Sequence, residues 1–515
     1  MNKNRISNTL KNTVFGFVNK LINILIPFLT RTVIIYALGL EYAGLNSLFS
    51  SVLQVLNLAE LGISSAIVYC MYKPMAENDT DLICALLQYM RKLYYIIGII
   101  VILLGIALIP LLPHFINGAV PDGLNIVILY AIYLCNTGIG YFFFAYKSTL
   151  LNAGQKVGII SNINSVIILF QGIAQIFVVV VLKNYYFFLG LMPIFTVINN
   201  IFISCATKKY YPNLLCAGKL PDNIKKDITT RIKGLFVTRI CTTTRNAFDS
   251  IFISAFIGLS TVAIYGNYYY IMSAVIGILN VLTVSMTASV GNSLVTESVQ
   301  KNYKDFRLMN FVFNWIVGFC TCCLLTIIQP FMKIWMGKDA LFAFPMVILM
   351  CVYFYFLNIG SIRAVYHDAA GLWWEARYRA VFEAALNLIL NFLLTRWLGV
   401  FGTVFGTLIA LITINYMWGG QIVFKYYFKI ISAKEYFIDN LKYSVVTLVG
   451  CSISYVITSR LLMSGIFACI ISFVISALIF NIIYFLLFYK TNLFNQSKEL
   501  LKIIISSTRG SRSQC

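Results

Sequence analysis

The sequence predicts an all-α polytopic membrane protein with about fourteen transmembrane helices. Of its 515 residues, 60% are hydrophobic and only 11% are charged, whereas a soluble protein of this length would be roughly a quarter charged. Apolar runs of about 20 residues recur from end to end, which is typical of membrane-spanning helices. The alternating ten-residue pattern of an outer-membrane barrel is absent from the sequence.

The apolar runs divide into fourteen predicted spans separated by short polar segments. Several are longer than a bilayer crossing requires, which favours tilted or extended helices. The spans cover approximately 12–38, 44–71, 93–113, 123–145, 158–182, 187–206, 235–258, 261–290, 309–329, 341–362, 378–397, 401–424, 443–461 and 465–489.

A basic segment after the sixth span divides the chain. The stretch LGLEYAGLNSLFSSV near residue 38 has a weak counterpart, IGLSTVAIYGNYYYIM, near residue 257. Because each predicted half has an even number of spans, the pattern indicates a parallel repeat of two six-helix lobes with a central cavity. We therefore expect a first lobe at 1–206, a basic cytoplasmic linker at 207–234, a second lobe at 235–424, and two extra helices with a basic tail at 425–515.

The net charge of +21 comes from residues between the spans. With the N-terminus inside, the inner segments hold 30 of the 39 Lys and Arg residues and the outer loops hold 5. This bias predicts that both termini are cytoplasmic, and it argues against nucleic acid as a partner. The thirteen Cys residues are scattered and there are only two His residues, so we expect no metal and no bound cofactor.

Polar residues repeat every three or four positions along four spans, which places them on one face of each helix. A charge at mid-bilayer costs about 2.5–3.5 kcal/mol, so such faces point to protein or water. The four faces predict one water-filled cavity lined by spans 1, 2, 7 and 8. The stripes are Lys20, Asn23, Pro27 and Arg31; Asn46, Ser50, Gln54, Asn57, Glu60 and Ser64; Arg239, Thr242, Arg245, Asn246 and Asp249; and Ser273, Gly277, Asn280, Thr283 and Thr287.

The basic members of these stripes predict a cavity for a large anionic group. At about 1.5 Å per residue, Lys20 and Arg239 lie nearer the cytoplasm, Arg245 near the midplane and Arg31 in the outer half. Ion coupling would use carboxylates in the same cavity. The candidates for that role and for the remaining polar lining are Glu60, Asp249, Asn57, Gln54 and Asn280.

Structural alternatives remain open for several of these residues. Arg245 and Asp249, four positions apart, can neutralise each other, and Glu60 can pair with Lys20. Arg239 is close enough to the inner interface for its charge to reach water. Arg31 has no acidic residue within one turn of its own helix, although Glu41 in the outer turn can reach it.

A group of aromatic and basic residues follows the tenth span. Such groups usually anchor a helix at the membrane interface, and the alternative is that they dock a lipid pyrophosphate. The group consists of Trp373, Trp374, Tyr378, Arg363, Arg377 and Arg379.

Two stretches resemble a known family. LGLEYAGLNSL, LAELGISSAI and YKPMAEND between Arg31 and Asp79, together with GLWWEARYRAVFEAALNLILN and LGVFGTVFGT, are similar to Wzx-type polysaccharide flippases. These belong to the MATE-like multidrug/oligosaccharidyl-lipid/polysaccharide exporter superfamily. The resemblance implies two six-helix lobes plus two helices, alternating access in the bacterial inner membrane, and a cavity in which cationic residues such as Arg31, Arg239 and Arg245 matter.

The resemblance also implies the cargo and the partners. The cargo would be an undecaprenyl-diphosphate-linked oligosaccharide for O-antigen or capsule synthesis, handled beside membrane lipids, a polysaccharide polymerase and glycosyltransferases. Coupling to H⁺ or Na⁺ is left open.

Two other functional classes are weaker hypotheses. A cation-coupled drug antiporter of the same fold would need acidic and aromatic cavity residues, and the basic bias argues against it. A lipid-linked glycosyltransferase, polymerase or ligase would need sizeable outer loops, but every predicted outer loop is short. A membrane acyltransferase would need an embedded histidine, but His114 and His367 lie at span ends. We therefore expect a protein that is not an enzyme.

Overall fold

The computed structural model describes residues 3–57, 63–118, 120–154, 156–212, 214, 217–429, 431–461 and 465–499, and every regular element in these ranges is helical. For residues 3–17, most of 227–246 and a few single positions, only the backbone is described. The α-helices are α1 (Lys3–Ala37), α2 (Leu40–Leu56), α3 (Ile63–Glu77), α4 (Thr80–Leu108), α5 (Ile126–Phe142), α6 (Ser148–Ala153), α7 (Val157–Phe177), α8 (Tyr185–Tyr210), α9 (Asp222–Phe256), α10 (Leu259–Thr296), α11 (Val299–Met336), α12 (Phe344–Ile359), α13 (Ser361–Ala369), α14 (Arg377–Leu398), α15 (Val400–Ala410), α16 (Gly419–Val423), α17 (Lys434–Ser459) and α18 (Ile466–Phe488).

The predicted fold class is confirmed. Among the described residues, 11 helices are long and apolar enough to cross a membrane, or 12 if the bent pair at 126–153 is one span. Of the remaining predicted spans, the second lies in α2 and α3, on either side of 58–62, and the seventh lies in α9. The exact count of fourteen therefore stays a prediction.

Some helices begin well before the apolar runs that predicted them. α4 begins at Thr80, where the side chain of Asp79 accepts a hydrogen bond from the Leu82 N–H at 3.0 Å. α11 begins at Val299, where the Ser298 hydroxyl accepts from the Lys301 N–H at 3.3 Å. These side chains satisfy backbone donors that the first turn of a helix leaves free, so each helix starts outside its apolar run.

The chain forms two compact units, Met1–Ala263 and Ile264–Cys515. Unit 1 contains α1–α9 and the first turn of α10, and unit 2 contains the remainder. In unit 1, α9 packs against α2 and α3. The six-plus-six-plus-two division of the sequence remains a prediction.

The centre of unit 1 is α2. Leu45, Leu48 and Phe49 are buried, and the Phe49 ring contacts those of Tyr130 and Tyr133 on α5. Near the start of α2, a Cβ atom added to Gly44 would lie 2.1 Å from the backbone oxygen of Leu259. Only glycine allows this approach between α2 and the start of α10.

The centre of unit 2 is α11, against which α12, α17 and α18 pack. The Asn310 amide donates to Asn440 on α17 at 2.9 Å, and the hydroxyls of Thr326 and Ser476 on α18 are 2.8 Å apart. The two helices that follow the twelfth predicted span therefore pack on the ninth predicted span.

We expect Gly44→Ala to destabilise unit 1, because the new methyl group would meet backbone atoms that cannot rotate away. Overpacking of this kind costs about 1–3 kcal/mol. The melting temperature of the purified protein in detergent measures the effect. Gly190→Ala on α8 is the matched control, because no heavy atom beyond its own helical turn lies within 4 Å of its added Cβ. Equal melting of the two variants would contradict the close approach.

Candidate functional site

A cavity of about 220 Å³ lies in unit 1 among α1, α2, α7 and α8. Its polar lining consists of Thr30, Arg31, Asn46, Gln171 and Gln175. Apolar side chains from α1, α7 and α8 complete the wall. This combination is typical of a site that binds a small polar or charged group beside apolar surface.

Backbone features of α1 and α7 determine one wall of the cavity. Pro27 has no N–H, so it cannot make the usual intrahelical bond to the carbonyl four residues earlier. On α7, a Cβ added to Gly172 would lie 2.2 Å from Ile26 Cγ2. The glycine therefore allows α7 to approach α1 closely at the level of the cavity.

The charged residue of this cavity is Arg31, which is half-buried. Its Nη1 donates to the Ser47 hydroxyl at 3.1 Å, and its Nη2 donates to the Ala263 carbonyl at 3.1 Å. The Ser47 hydroxyl in turn donates to the Ala43 carbonyl at 3.0 Å. Arg31 thus joins α1, α2 and the first turn of α10, which correspond to predicted spans 1, 2 and 8. Glu41, the sequence-based alternative partner, is exposed.

Asn23 of the first stripe and its neighbour Asn19 join α1 to α7. Asn23 donates to the Ser165 hydroxyl at 2.9 Å, and Asn19, one turn earlier, donates to Asn162. Interhelical bonds of this kind satisfy polar groups within the membrane. Asn23 therefore takes part in helix packing.

The asparagines of the second stripe bind α5. Asn46 accepts a hydrogen bond from the Tyr133 hydroxyl, and Asn57 accepts from the Tyr141 hydroxyl at 3.0 Å. Both amides also line cavities: Asn46 lines the Arg31 cavity, and Asn57 lines a second cavity of about 410 Å³.

The second cavity lies beside the 48° bend between α5 and the following helical segment. Its lining carries amide and hydroxyl groups and no charged side chain: Asn57, Tyr94, Asn136, Thr137, Gly140, Tyr141, Ala145, Ser148 and Thr196.

The two side chains of the α9 stripe that the structure describes, Arg245 and Asp249, are buried. Arg245 is 8% exposed and Asp249 is 3% exposed. The backbone of Arg239 lies in the same helix, but its side chain is outside the described part of the chain, as is all of Glu60. The predicted roles of these four residues remain predictions.

Three further predicted site residues are exposed: Lys20 on α1, Gln54 on α2 and Asn280 on α10. Lys20 and Gln54 belong to unit 1, whereas Asn280 belongs to unit 2. The Arg31 cavity does not include any of them.

Sequence reasoning missed the contribution of α7. Gln171 and Gln175, four residues apart in an apolar helix, both line the Arg31 cavity. The Gln175 amide donates to the Phe188 carbonyl at 3.3 Å, which holds α7 to α8. The four-residue spacing of the two glutamines was the available signal.

The basic group after the tenth predicted span separates into two sets. Arg377 stacks on the rings of Trp374 and Tyr378, with its guanidinium carbon 4.1 and 4.5 Å from the ring centres. Both rings are exposed, as expected for an interfacial anchor. The anchor interpretation is wrong for Arg363, which is only 6% exposed.

Arg363 belongs to a buried polar network in unit 2. Its guanidinium donates to the Asn415 carbonyl at 2.8 Å and to the Asn415 side chain at 3.0 Å. Asn415 donates to both oxygens of Glu383 at 3.1 and 2.9 Å, and Arg379 donates to Glu383 at 2.9 Å. An added Cβ at Gly419 would lie 1.8 Å from Arg363 Nη1, so a larger residue there would displace the guanidinium. This network holds α13 and α14 to the π-helical segment Leu411–Trp418.

Glu383 begins a second missed pattern, a stripe of four buried polar residues at four-residue spacing on α14. Asn387 donates to Thr407 at 2.9 Å, and the hydroxyls of Thr395 and Thr403 are 2.8 Å apart. These bonds join α14 to α15, so this stripe serves helix packing. The members are Glu383, Asn387, Asn391 and Thr395.

Several solved structures with a similar fold are named as flippases or transporters. The chain is similar to "Lipid II flippase MurJ, inward closed conformation", with a TM-score of 0.66 and 16% identity over 93% of this chain and 99% of that one. It is similar to an inward-facing multidrug resistance MATE family transporter of the MOP superfamily (TM-score 0.58, 12% identity, 78% and 94% covered). It is also similar to a mutant of the Vibrio cholerae MATE transporter VcmN (TM-score 0.56, 13% identity, 82% and 98% covered).

These likenesses show that the chain has the fold shared by MurJ and the MATE transporters. No family model and no curated protein matches the chain by sequence. In the MurJ comparison, the 7% of this chain left uncovered is about 36 residues. α17 has 26 residues and α18 has 23, so together they are longer than the uncovered part of the chain. The shared fold therefore includes part of this helix pair.

We expect Glu383→Gln to destabilise unit 2 strongly. The substitution removes the carboxylate that Arg379 and Asn415 bind, and breaking a buried ion pair costs about 3–5 kcal/mol. The melting temperature in detergent measures the loss. Glu297→Gln is the matched control, because Glu297 binds Lys301 in an exposed pair that is worth about 0–1 kcal/mol. A small effect at both positions would contradict the structural role of the network.

Proposed function

We propose that this protein is a flippase that moves undecaprenyl-diphosphate-linked oligosaccharide units from the inner to the outer leaflet by alternating access. The observation that carries the proposal is the position of Arg31. A half-buried guanidinium lines a cavity at the point where α1, α2 and α10 meet. The fold around it is one that a lipid II flippase also adopts.

The chemistry of Arg31 suits a diphosphate. Its charge is permanent, and its planar group carries five N–H donors arranged to bind phosphate oxygens. The bonds to Ser47 and Ala263 fix the orientation of the guanidinium before any ligand arrives. Pre-orientation lowers the entropic cost of holding an anion. We propose that Arg239, Arg245 and Lys20 bind the same anion at other depths.

The uncharged cavity beside Asn57 suits the sugar portion of the cargo. Amide and hydroxyl groups line it, and these can both donate to and accept from sugar hydroxyls. Asn46 lies on α2 and Asn57 caps its C-terminal end, eleven residues later, or about 16 Å at the α-helical rise. This separation allows a diphosphate at one cavity and a sugar at the other.

The proposal places the protein in the bacterial plasma membrane with both termini in the cytoplasm. A membrane potential that is negative inside favours outward movement of anionic charge by about 2.3 kcal/mol per charge per 100 mV. Coupling to H⁺ or Na⁺ through Asp249 or Glu60 would add to this driving force. The polymerase and glycosyltransferases of surface polysaccharide synthesis would be the functional partners.

The second candidate function is a cation-coupled drug antiporter. The titles of the MATE neighbours support it. These comparisons cover 78% and 82% of this chain, whereas the MurJ comparison covers 93%. A basic residue in the Arg31 cavity also suits an anionic cargo better than a cationic drug, because like charges repel.

We expect Arg31→Ala to slow translocation by about tenfold to a hundredfold, which corresponds to the loss of a hydrogen bond to a charged group, about 1.5–3 kcal/mol. The measurement uses proteoliposomes that contain a fluorescent undecaprenyl-diphosphate-linked sugar and a membrane-impermeant quencher. Arg31→Lys keeps the positive charge but loses the planar guanidinium with its five N–H donors, so it should give an intermediate rate. Arg239→Ala and Arg245→Ala should also be slow.

The matched control is Arg396→Ala, because Arg396 is exposed at the end of α14. Its rate and melting temperature should equal those of the unmodified protein. Full rates for the Arg31, Arg239 and Arg245 variants would contradict the cationic cavity. Movement of a fluorescent cationic drug without movement of the lipid-linked sugar would favour the antiporter.

A further inference from the structure

A groove of about 470 Å³ lies in unit 2, near the N-terminal end of α11. At this end α11, α17 and the segment after α18 meet. Its basic lining residues are Lys304, Arg307 and Lys442, and its acidic lining residue is Asp439. Lys304 is exposed, and the side chain of Lys442 is 63% exposed. The lining therefore carries a net positive charge of two, and both lysines are exposed, with the Lys442 Nζ 3.6 Å from Asp439.

Arg307 is fixed within this groove. Its Nη2 lies 2.7 Å from Asp439, and its Nη1 lies 3.4 Å from Glu435. Its Nε hydrogen is buried and has no acceptor among the described residues. Arg307 is thus held by two carboxylates, which leaves the two exposed lysines as the positive groups that an incoming anion would meet first.

The remaining polar groups of the rim, two amides and the Thr491 hydroxyl, can each donate a hydrogen bond. Asn492 and Gln496 follow α18 in the helical segment 492–499 and carry amide N–H₂ groups. A phosphodiester offers only acceptors, and bonds from charged donors to such oxygens are the strong ones. Lysine, arginine and amide donors around one groove therefore match a phosphodiester.

The floor of the groove is aromatic. The Phe311, Tyr443 and Phe488 rings pack with centroid distances of 5.4–5.7 Å. Farther along the same faces of α11 and α18 lies an apolar groove of about 430 Å³, lined mainly by Trp315, Leu478, Ile482 and Phe485. A charged rim beside an apolar groove matches a ligand that has an anionic head and a hydrocarbon chain.

The groove lies at the basic end of unit 2. The starts of α11 and α17 and the end of α18 meet there, and Lys301, Lys434 and Lys490 lie in or beside these helix ends. The positive-inside rule assigns this end to the cytoplasmic leaflet, where anionic lipids attract basic groups. We propose that the groove binds the phosphodiester headgroup of an anionic glycerophospholipid of that leaflet, with an acyl chain along α11 and α18. The site is separate from the Arg31 cavity, which lies in unit 1.

The experiment measures lipid binding by the full chain, so it does not depend on transport. Detergent-purified protein is titrated with dioleoyl-phosphatidylglycerol or dioleoyl-phosphatidylcholine, and native mass spectrometry measures the bound fraction. We expect phosphatidylglycerol to bind at least about tenfold more tightly. The Lys304→Gln, Lys442→Gln double variant should lose this preference, with binding weaker by about fivefold for each lysine.

The matched control is the double variant Lys333→Gln, Lys338→Gln, which removes two lysines from the other end of α11 and its following turn. It should bind phosphatidylglycerol like the unmodified protein. Equal binding of the two lipids, or equal losses in both double variants, would overturn the proposal. Displacement of the lipid by millimolar inorganic phosphate would also overturn it, because the site would then recognise free phosphate.

Discussion

The structure depends on one constraint: a polar group inside a membrane must find a partner within the protein, because hydrocarbon offers none. The helices of this chain satisfy that constraint with side-chain pairs. Asn23 binds Ser165, Asn310 binds Asn440, and Asn387 binds Thr407. These neutral pairs join α1 to α7, α11 to α17, and α14 to α15. Polar residues thus select which helices are neighbours, and glycines such as Gly44 let those neighbours approach.

The same constraint explains how far the sequence could predict the fold. Long apolar runs and the distribution of lysine and arginine were sufficient for an all-α membrane protein, because these features follow directly from the thickness and electrostatics of a bilayer. Helix starts were not predicted, since Asp79 and Ser298 begin α4 and α11 through local hydrogen bonds outside the apolar runs.

The site could be predicted only in part for a different physical reason. A polar stripe in sequence shows that a helix face needs partners, but it does not show whether those partners are other helices or a ligand. Asn23 and Arg31 lie on one stripe, yet Asn23 binds α7, whereas Arg31 lines a cavity. Gln171 and Gln175 line the same cavity from a helix to which the sequence reading assigned no stripe. Long-range packing decides these roles, and packing is not encoded by spacing along one helix.

Arg31 and Arg363 differ in ways that bear on the proposed cargo site. Both donate to neighbouring helices, so hydrogen bonding alone does not separate them. Arg363 is 6% exposed, and the network around it includes the carboxylate of Glu383, so an incoming anion would have to displace packed protein and compete with a fixed negative charge. Arg31 is half-buried at the wall of a cavity, and its bonds to Ser47 and Ala263 go to neutral oxygens. The cavity gives an anion a route to the Arg31 side chain, and this route is the physical basis for our proposal that the cargo binds in unit 1.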